Sequence, residues 1–195
     1  IAAVRWRIIL RKLIMHFSFN RVLGFLWIGL FFNQALPSNV GGDAFRGYCI
    51  FKNGHSVGKS SLCILLDRMF GMTGLIIFLI LSLPLMFDLI SDNEIQWGVI
   101  VVVTSAFAII CLSLMLDLLP KKIAHFKVVK GLFAFSKEGR KQMFSIYPGV
   151  VLIAISMSIH LISIAAVIVL SKGMSLDFEW YSMLFVIPFT ILASA

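Results

Sequence analysis

Residues 31–46 read FFNQALPSNVGGDAFR, and the reading of this stretch decides the fold. An apolar run from Val22 to Leu36, interrupted only by Asn33 and Gln34, halts at Pro37. Proline lacks a backbone donor and disfavours helix at the residue before it. The pair Gly41-Gly42 follows, then Asp43 and, three residues on, Arg46. At 1.5 Å of rise per residue, a helix over Val22–Leu36 covers about 22 Å, short of the roughly 30 Å hydrocarbon core of a bilayer. The run is too apolar for a surface loop and too short for a simple span.

Outside this stretch the chain alternates long apolar runs with basic segments. Hydrophobic residues make up 60% and charged residues 13%, where a soluble domain carries about 25% charged residues. The mean hydropathy is +1.01. Lipid must be the solvent for most of this surface, and in lipid every backbone polar group needs an internal partner. The runs are continuous rather than alternating, which favours helices over a barrel. The expected fold is therefore all-α, a polytopic integral membrane helix bundle, with residues 1–195 as one transmembrane domain. Spans are predicted at about 62–87, 95–117, 143–171 and 180–195. Because the chain starts at Ile1 and ends inside an apolar run, we expect a piece of a longer protein, its last span truncated.

Charge sets the topology. The net charge is +8, which in a membrane protein points to cytoplasmic loops and anionic headgroups rather than to nucleic acid. Residues 120–142 carry seven bases, Lys121 to Lys141, against Glu138, and are predicted to be a cytoplasmic loop. Within it Ile123, Phe126, Val129 and Phe133 recur at helical spacing, as in a helix lying on anionic lipid; a solvated basic loop is the alternative. Counting back, residues 43–60 are cytoplasmic too, and so is the Arg-rich start, where Trp6 between Arg5 and Arg7 reads as an interfacial anchor. Residues 22–42 would then leave and return on one side, as a re-entrant or broken helix. An ordinary tilted span with an external N-terminus is the alternative.

The turn carries the chemistry. Gly41 and Gly42 permit positive φ and an anion nest of backbone N–H groups. Asp43 can cap a helix leading through Arg46, whose planar fork suits phosphate. Asn33, Gln34, Ser38 and Asn39 add neutral hydrogen-bonding groups. Asp67 and Arg68 lie inside the next apolar helix, where charge is costly unless paired or hydrated. Arg68 can bind a lipid phosphate, pair with Asp43, or snorkel to headgroups. Gly71 and Gly74 allow a close helix contact, and His160 sits mid-span among Ser156, Ser158 and Ser163. The candidate headgroup-binding set is Asn33, Ser38, Asn39, Gly41, Gly42, Asp43, Arg46, Asp67 and Arg68. Residues 54–60, GHSVGKS, imitate a phosphate loop but are one residue short of its spacing. The three cysteines lie far apart, and no catalytic set, metal cluster or cofactor motif is present, so we expect none.

The motifs Phe32-Asn33, Leu36-Pro37-Ser38, Gly41-Gly42-Asp43, Arg46 and Asp67-Arg68 followed by Gly71 and Gly74 resemble the lysylphosphatidylglycerol synthase transmembrane family of flippase-like proteins. The resemblance is specific up to about Leu85 and one of pattern beyond. It implies a multi-pass inner-membrane protein of a bacterium or archaeon that moves an anionic or aminoacylated phospholipid between leaflets. Two alternatives stay open: the membrane half of a lysyltransferase, presenting lipid to a fused or separate soluble transferase domain, or a structural protein of envelope assembly.

Overall fold

The computed structural model describes residues 1–35, 40–118, 127–176 and 180–193. These residues form helices and turns, without a strand among them. The helices are α1 (Ala2–Lys12), α2 (Phe19–Ala35), α3 (Gly41–Lys52), α4 (Val57–Leu89), α5 (Asn93–Met115), α6 (Lys127–Met143), α7 (Val151–Gly173) and α8 (Met183–Ala193). A short 3-10 turn, Leu116–Leu118, extends α5, and a π turn, Ile146–Val150, leads into α7. Three segments are long and apolar enough to cross a membrane: Val57–Phe87, Asn93–Leu118 and Ile146–Gly173. Met183–Ala193 is apolar but shorter.

The chain packs as two compact units, one of Ile1–Met69 with Leu114–Leu152, the other of Phe70–Ser113 with Ile153–Ala195. The first holds the broken helix. α2 stops at Ala35 and helix resumes at Gly41; the intervening 36–39, with Pro37, lie outside the described residues. α2 and α3 pack antiparallel: Arg21 Nη1 donates to Asn53 Oδ1 at 3.4 Å, and Phe32 stacks on Phe45 at 5.0 Å. Both helices are shorter than a bilayer core, at about 25 Å and 18 Å. Much of 43–60, expected as a loop, is thus the returning limb of a hairpin that reaches Lys52. α4 begins at Val57, ahead of the expected Leu62, because Ser56 caps it: the Ser56 hydroxyl accepts from Lys59 N–H at 3.4 Å. This is the fate of the false phosphate loop.

Part of the basic 120–142 segment is likewise helical, as α6; residues 119–126 lie outside the described residues. Asp117 ties the end of α5 to α6. It accepts from Ser136 Oγ at 2.8 Å and from Arg140 Nη2 at 2.6 Å. This long-range triad is not legible from local residues, because Asp117 reads as the charge closing a span and Arg140 as one base among many.

The second unit is built on small residues and aliphatic packing. Leu75, Leu79 and Met86 of α4, Val99 and Val103 of α5 and Phe185 of α8 form a buried cluster. Gly74 faces Ser156 of α7: a Cβ there would stand 2.5 Å from the Ser156 Cβ and 3.2 Å from the Met157 nitrogen. His160 Nε2–H donates to the Gly71 carbonyl at 3.2 Å. Gly74→Ala should therefore lower stability in detergent by about 1–3 kcal/mol, because backbone must move. Gly98→Ala, whose Cβ meets nothing within 4 Å, should leave the thermal midpoint unchanged or raise it. Equal midpoints for the two variants would contradict this packing.

Candidate functional site

The site lies in the first unit, where α1, α3 and α4 bring five charged side chains into one chain of ion pairs. α1 turns Ala3, Trp6, Ile9 and Leu10 inward, one face at helical spacing, and this sets Arg5 beside α4. Arg5 Nε donates to Asp67 Oδ1 at 2.8 Å. Arg46 Nη2 donates to Asp67 Oδ2 at 2.8 Å, and its Nη1 to Asp43 Oδ1 at 3.1 Å. Arg68 Nε donates to Asp43 Oδ2 at 2.6 Å. The order is Arg5, Asp67, Arg46, Asp43, Arg68, alternating in sign and with one positive charge in excess.

Burial falls from Asp67 to Arg68 along this chain. The side chains of Asp67 and Arg46 are 8% and 10% exposed, and that of Arg68 is 48% exposed. Of these five side chains, that of Arg68 is the most exposed. The Arg46 guanidinium carbon lies 4.0 Å from the centre of the Trp6 ring, a stacked cation–π contact, and the Arg46 Nε is buried without a hydrogen-bond acceptor. Trp6 Nε1 donates to Cys63 Sγ at 3.2 Å. Trp6 is wholly buried, so it is no interfacial anchor. It forms the apolar floor under Arg46.

Close packing of α2 on α3 positions the rest. Gly42 has no room for a Cβ, which would fall on the Gly29 carbonyl oxygen and within 2.6 Å of Asn33 Oδ1. Gly29 in turn faces the Arg46 stem. Asn33 Oδ1 accepts from the Gly42 N–H at 2.7 Å and so caps α3 from the neighbouring helix. The two glycines lie within α3, so they form no positive-φ nest. They serve close approach instead. The N-cap of α3 is Val40 rather than Asp43, and Asp43 stands in the first turn. There its charge suits the helix dipole while it bridges two arginines.

Of the predicted set, Asn33, Gly42, Asp43, Arg46, Asp67 and Arg68 are thus brought together, with Gly41 at the start of α3. Ser38 and Asn39 lie outside the described residues. Gln34 is exposed. The fork of Arg46 is taken by two carboxylates, and Arg68 is the more exposed arginine. Sequence reading missed Arg5, Trp6 and Cys63. The inward face of α1 was the available signal, but its arginines read as a uniform basic segment. Among the described residues no group of histidines, cysteines and acids could hold a metal.

A broken helical hairpin braced by buried ion pairs, together with three helices of membrane-crossing length, marks an integral membrane protein. The family model described as the lysylphosphatidylglycerol synthase TM region matches residues 1–195, and the chain belongs to that family. The match covers the later spans as well as the motif-bearing first part. No curated protein and no solved structure matches the chain significantly.

Proposed function

We propose that the domain binds the head of an anionic or aminoacylated phospholipid at Arg68 and carries it between leaflets of a bacterial or archaeal inner membrane. The observation that carries this reading is the half-exposed Arg68 paired to Asp43 at 2.6 Å. Along α3, Asp43 lies about 15 Å from the open end of the hairpin, and along α4, Arg68 lies about 16 Å from Val57. With the hairpin mouth at the cytoplasmic face, both meet near the middle of a roughly 30 Å core. Charge at that depth is tolerated where it lines a wet cavity, and substrate sites of transporters gather at broken helices near the midplane.

The mechanism is an exchange of partners. A lipid phosphate takes the Arg68 guanidinium from Asp43, while Asp43 keeps Arg46 and the brace stays intact. Asn33, Gly41 and Gly42 hold the turn beside it, and Ser38 and Asn39 complete the proposed set. Acyl chains remain in the bilayer. α6, with its basic residues, lies on the cytoplasmic surface.

Arg68→Gln in the full chain, reconstituted in liposomes, should slow translocation of a fluorescent phosphatidylglycerol about tenfold or more, the value of one lost charge-assisted hydrogen bond. Arg68→Lys should retain part of the rate. Because Arg68 is half exposed, its replacement should change stability by no more than about 1 kcal/mol. Unchanged translocation by a folded Arg68→Gln protein would refute the reading. The family's description as a synthase TM region favours a second reading, in which the same site presents lipid to a soluble transferase. Under that reading Arg68→Gln lowers lipid aminoacylation by the transferase and leaves translocation alone.

A further inference from the structure

A groove of about 500 Å³ lies in the first unit between the start of α4 and α6. It uses none of the residues of the ion-pair chain. On the α4 side it is lined by Ser56, Gly58, Lys59 and Leu65, and on the α6 side by Val128, Lys130 and Leu132 among others. Its apolar walls are open: Leu65 is 44% exposed, Val128 74% and Leu132 40%. Lys59 and Lys130 are both exposed, and no acid is among the described residues that line the groove. Gly58 and Gly131, one on each wall, face free space, since a Cβ on either would meet nothing within 4 Å.

We infer that this groove is a second lipid site, taking one anionic phospholipid. The apolar walls suit an acyl chain, which a soluble phosphate lacks. Lys59 and Lys130 suit the phosphodiester, as a point charge on each side. The first turn of α4, capped by Ser56, adds the positive end of a long helix. A zwitterionic lipid would bring its own cation against the two lysines, so the selectivity is for net negative heads. The segment that imitates a phosphate loop in the sequence, 54–60, would thus meet a phosphate after all, as a helix start rather than as a nucleotide loop.

The test uses the full chain in nanodiscs doped with phosphatidylglycerol carrying a photoactivatable diazirine on one acyl chain, read by peptide mass spectrometry. Label is expected on the α4 segment from Ser61 to Leu65 and on the α6 segment from Val128 to Leu132. Lys59→Gln with Lys130→Gln should reduce it about fivefold per lysine, about twenty-five-fold together. Gly131→Leu places a side chain on the groove wall, where an added Cβ meets nothing within 4 Å, and should abolish the label while leaving the thermal midpoint intact. Arg68→Gln should not change it, which separates this site from the one proposed above. Equal labelling by the matching phosphatidylcholine probe would overturn the inference. So would label that survives the double lysine variant or Gly131→Leu, or label that disappears with Arg68→Gln.

Discussion

Asp67→Asn is expected to be the most damaging single substitution in the chain, destabilising it by about 3–5 kcal/mol, the range for removing one partner of a buried ion pair. Asp67 accepts from both Arg5 and Arg46 and is 8% exposed. Asparagine keeps the shape but offers one acceptor and turns an amide N–H₂ toward a guanidinium. Asp43 still holds Arg46, yet the charge of the Arg5–Arg46 pair loses its shared counter-ion in a low-dielectric setting. Denaturant titration in detergent measures the effect. The triple replacement Asp67→Leu, Arg5→Met and Arg46→Met should recover part of the lost stability, because an apolar set of similar volume needs no counter-ions. It should not recover lipid translocation, because Asp43 then keeps only Arg68. A midpoint for Asp67→Asn within experimental error of the unaltered protein would mean that the charged chain does not brace this unit.

Gly42→Ala is the second large effect. In an ordinary helix this exchange stabilises by about 1 kcal/mol. Here the added methyl would fall on the Gly29 carbonyl oxygen and against Asn33, so α2 and α3 must part, at a cost of about 1–3 kcal/mol or more. The Asn33 cap of α3 opens with them, and Asp43 and Arg46, on the same two turns of α3, lose their register with α4. Translocation and stability should therefore fall together. Gly24→Ala, in the same hairpin but with nothing within 4 Å of its Cβ, should be neutral or stabilising. If the two alanine variants behave alike, the close hairpin contact is not present.

Much of the class was legible in the sequence. Apolar run length and the low charge predict membrane helices, and Pro37 with the glycine pair predicts the break between α2 and α3. What could not be read was the return limb. Gly41–Lys52 mixes glycine, Asp43, Arg46 and Lys52 with apolar residues, and local propensity favours a loop there. Tertiary contact makes it a helix: Gly42 against Gly29, Phe45 against Phe32, and Arg46 into Asp67. The roles within the site shifted for the same reason. A free guanidinium suits phosphate, and Arg46 has that chemistry, but its availability depends on partners many residues away on α4 and α1. Pairing of Asp43 with Arg68 was foreseeable as a brace because both are charges beside apolar helix. Arg5 was not, since nothing local distinguishes it from Arg7 or Arg11.

The proposed function requires Arg68 to face water deep in the membrane and to give up Asp43 for a lipid phosphate. The most direct test is the reaction rate of Arg68→Cys with a membrane-impermeant methanethiosulfonate, in a Cys111→Ser background, with Cys49 and Cys63 already buried. Modification is expected in phosphatidylcholine vesicles, with a severalfold slower rate when phosphatidylglycerol is present. No modification in either lipid, or the same rate in both, would contradict the proposed function.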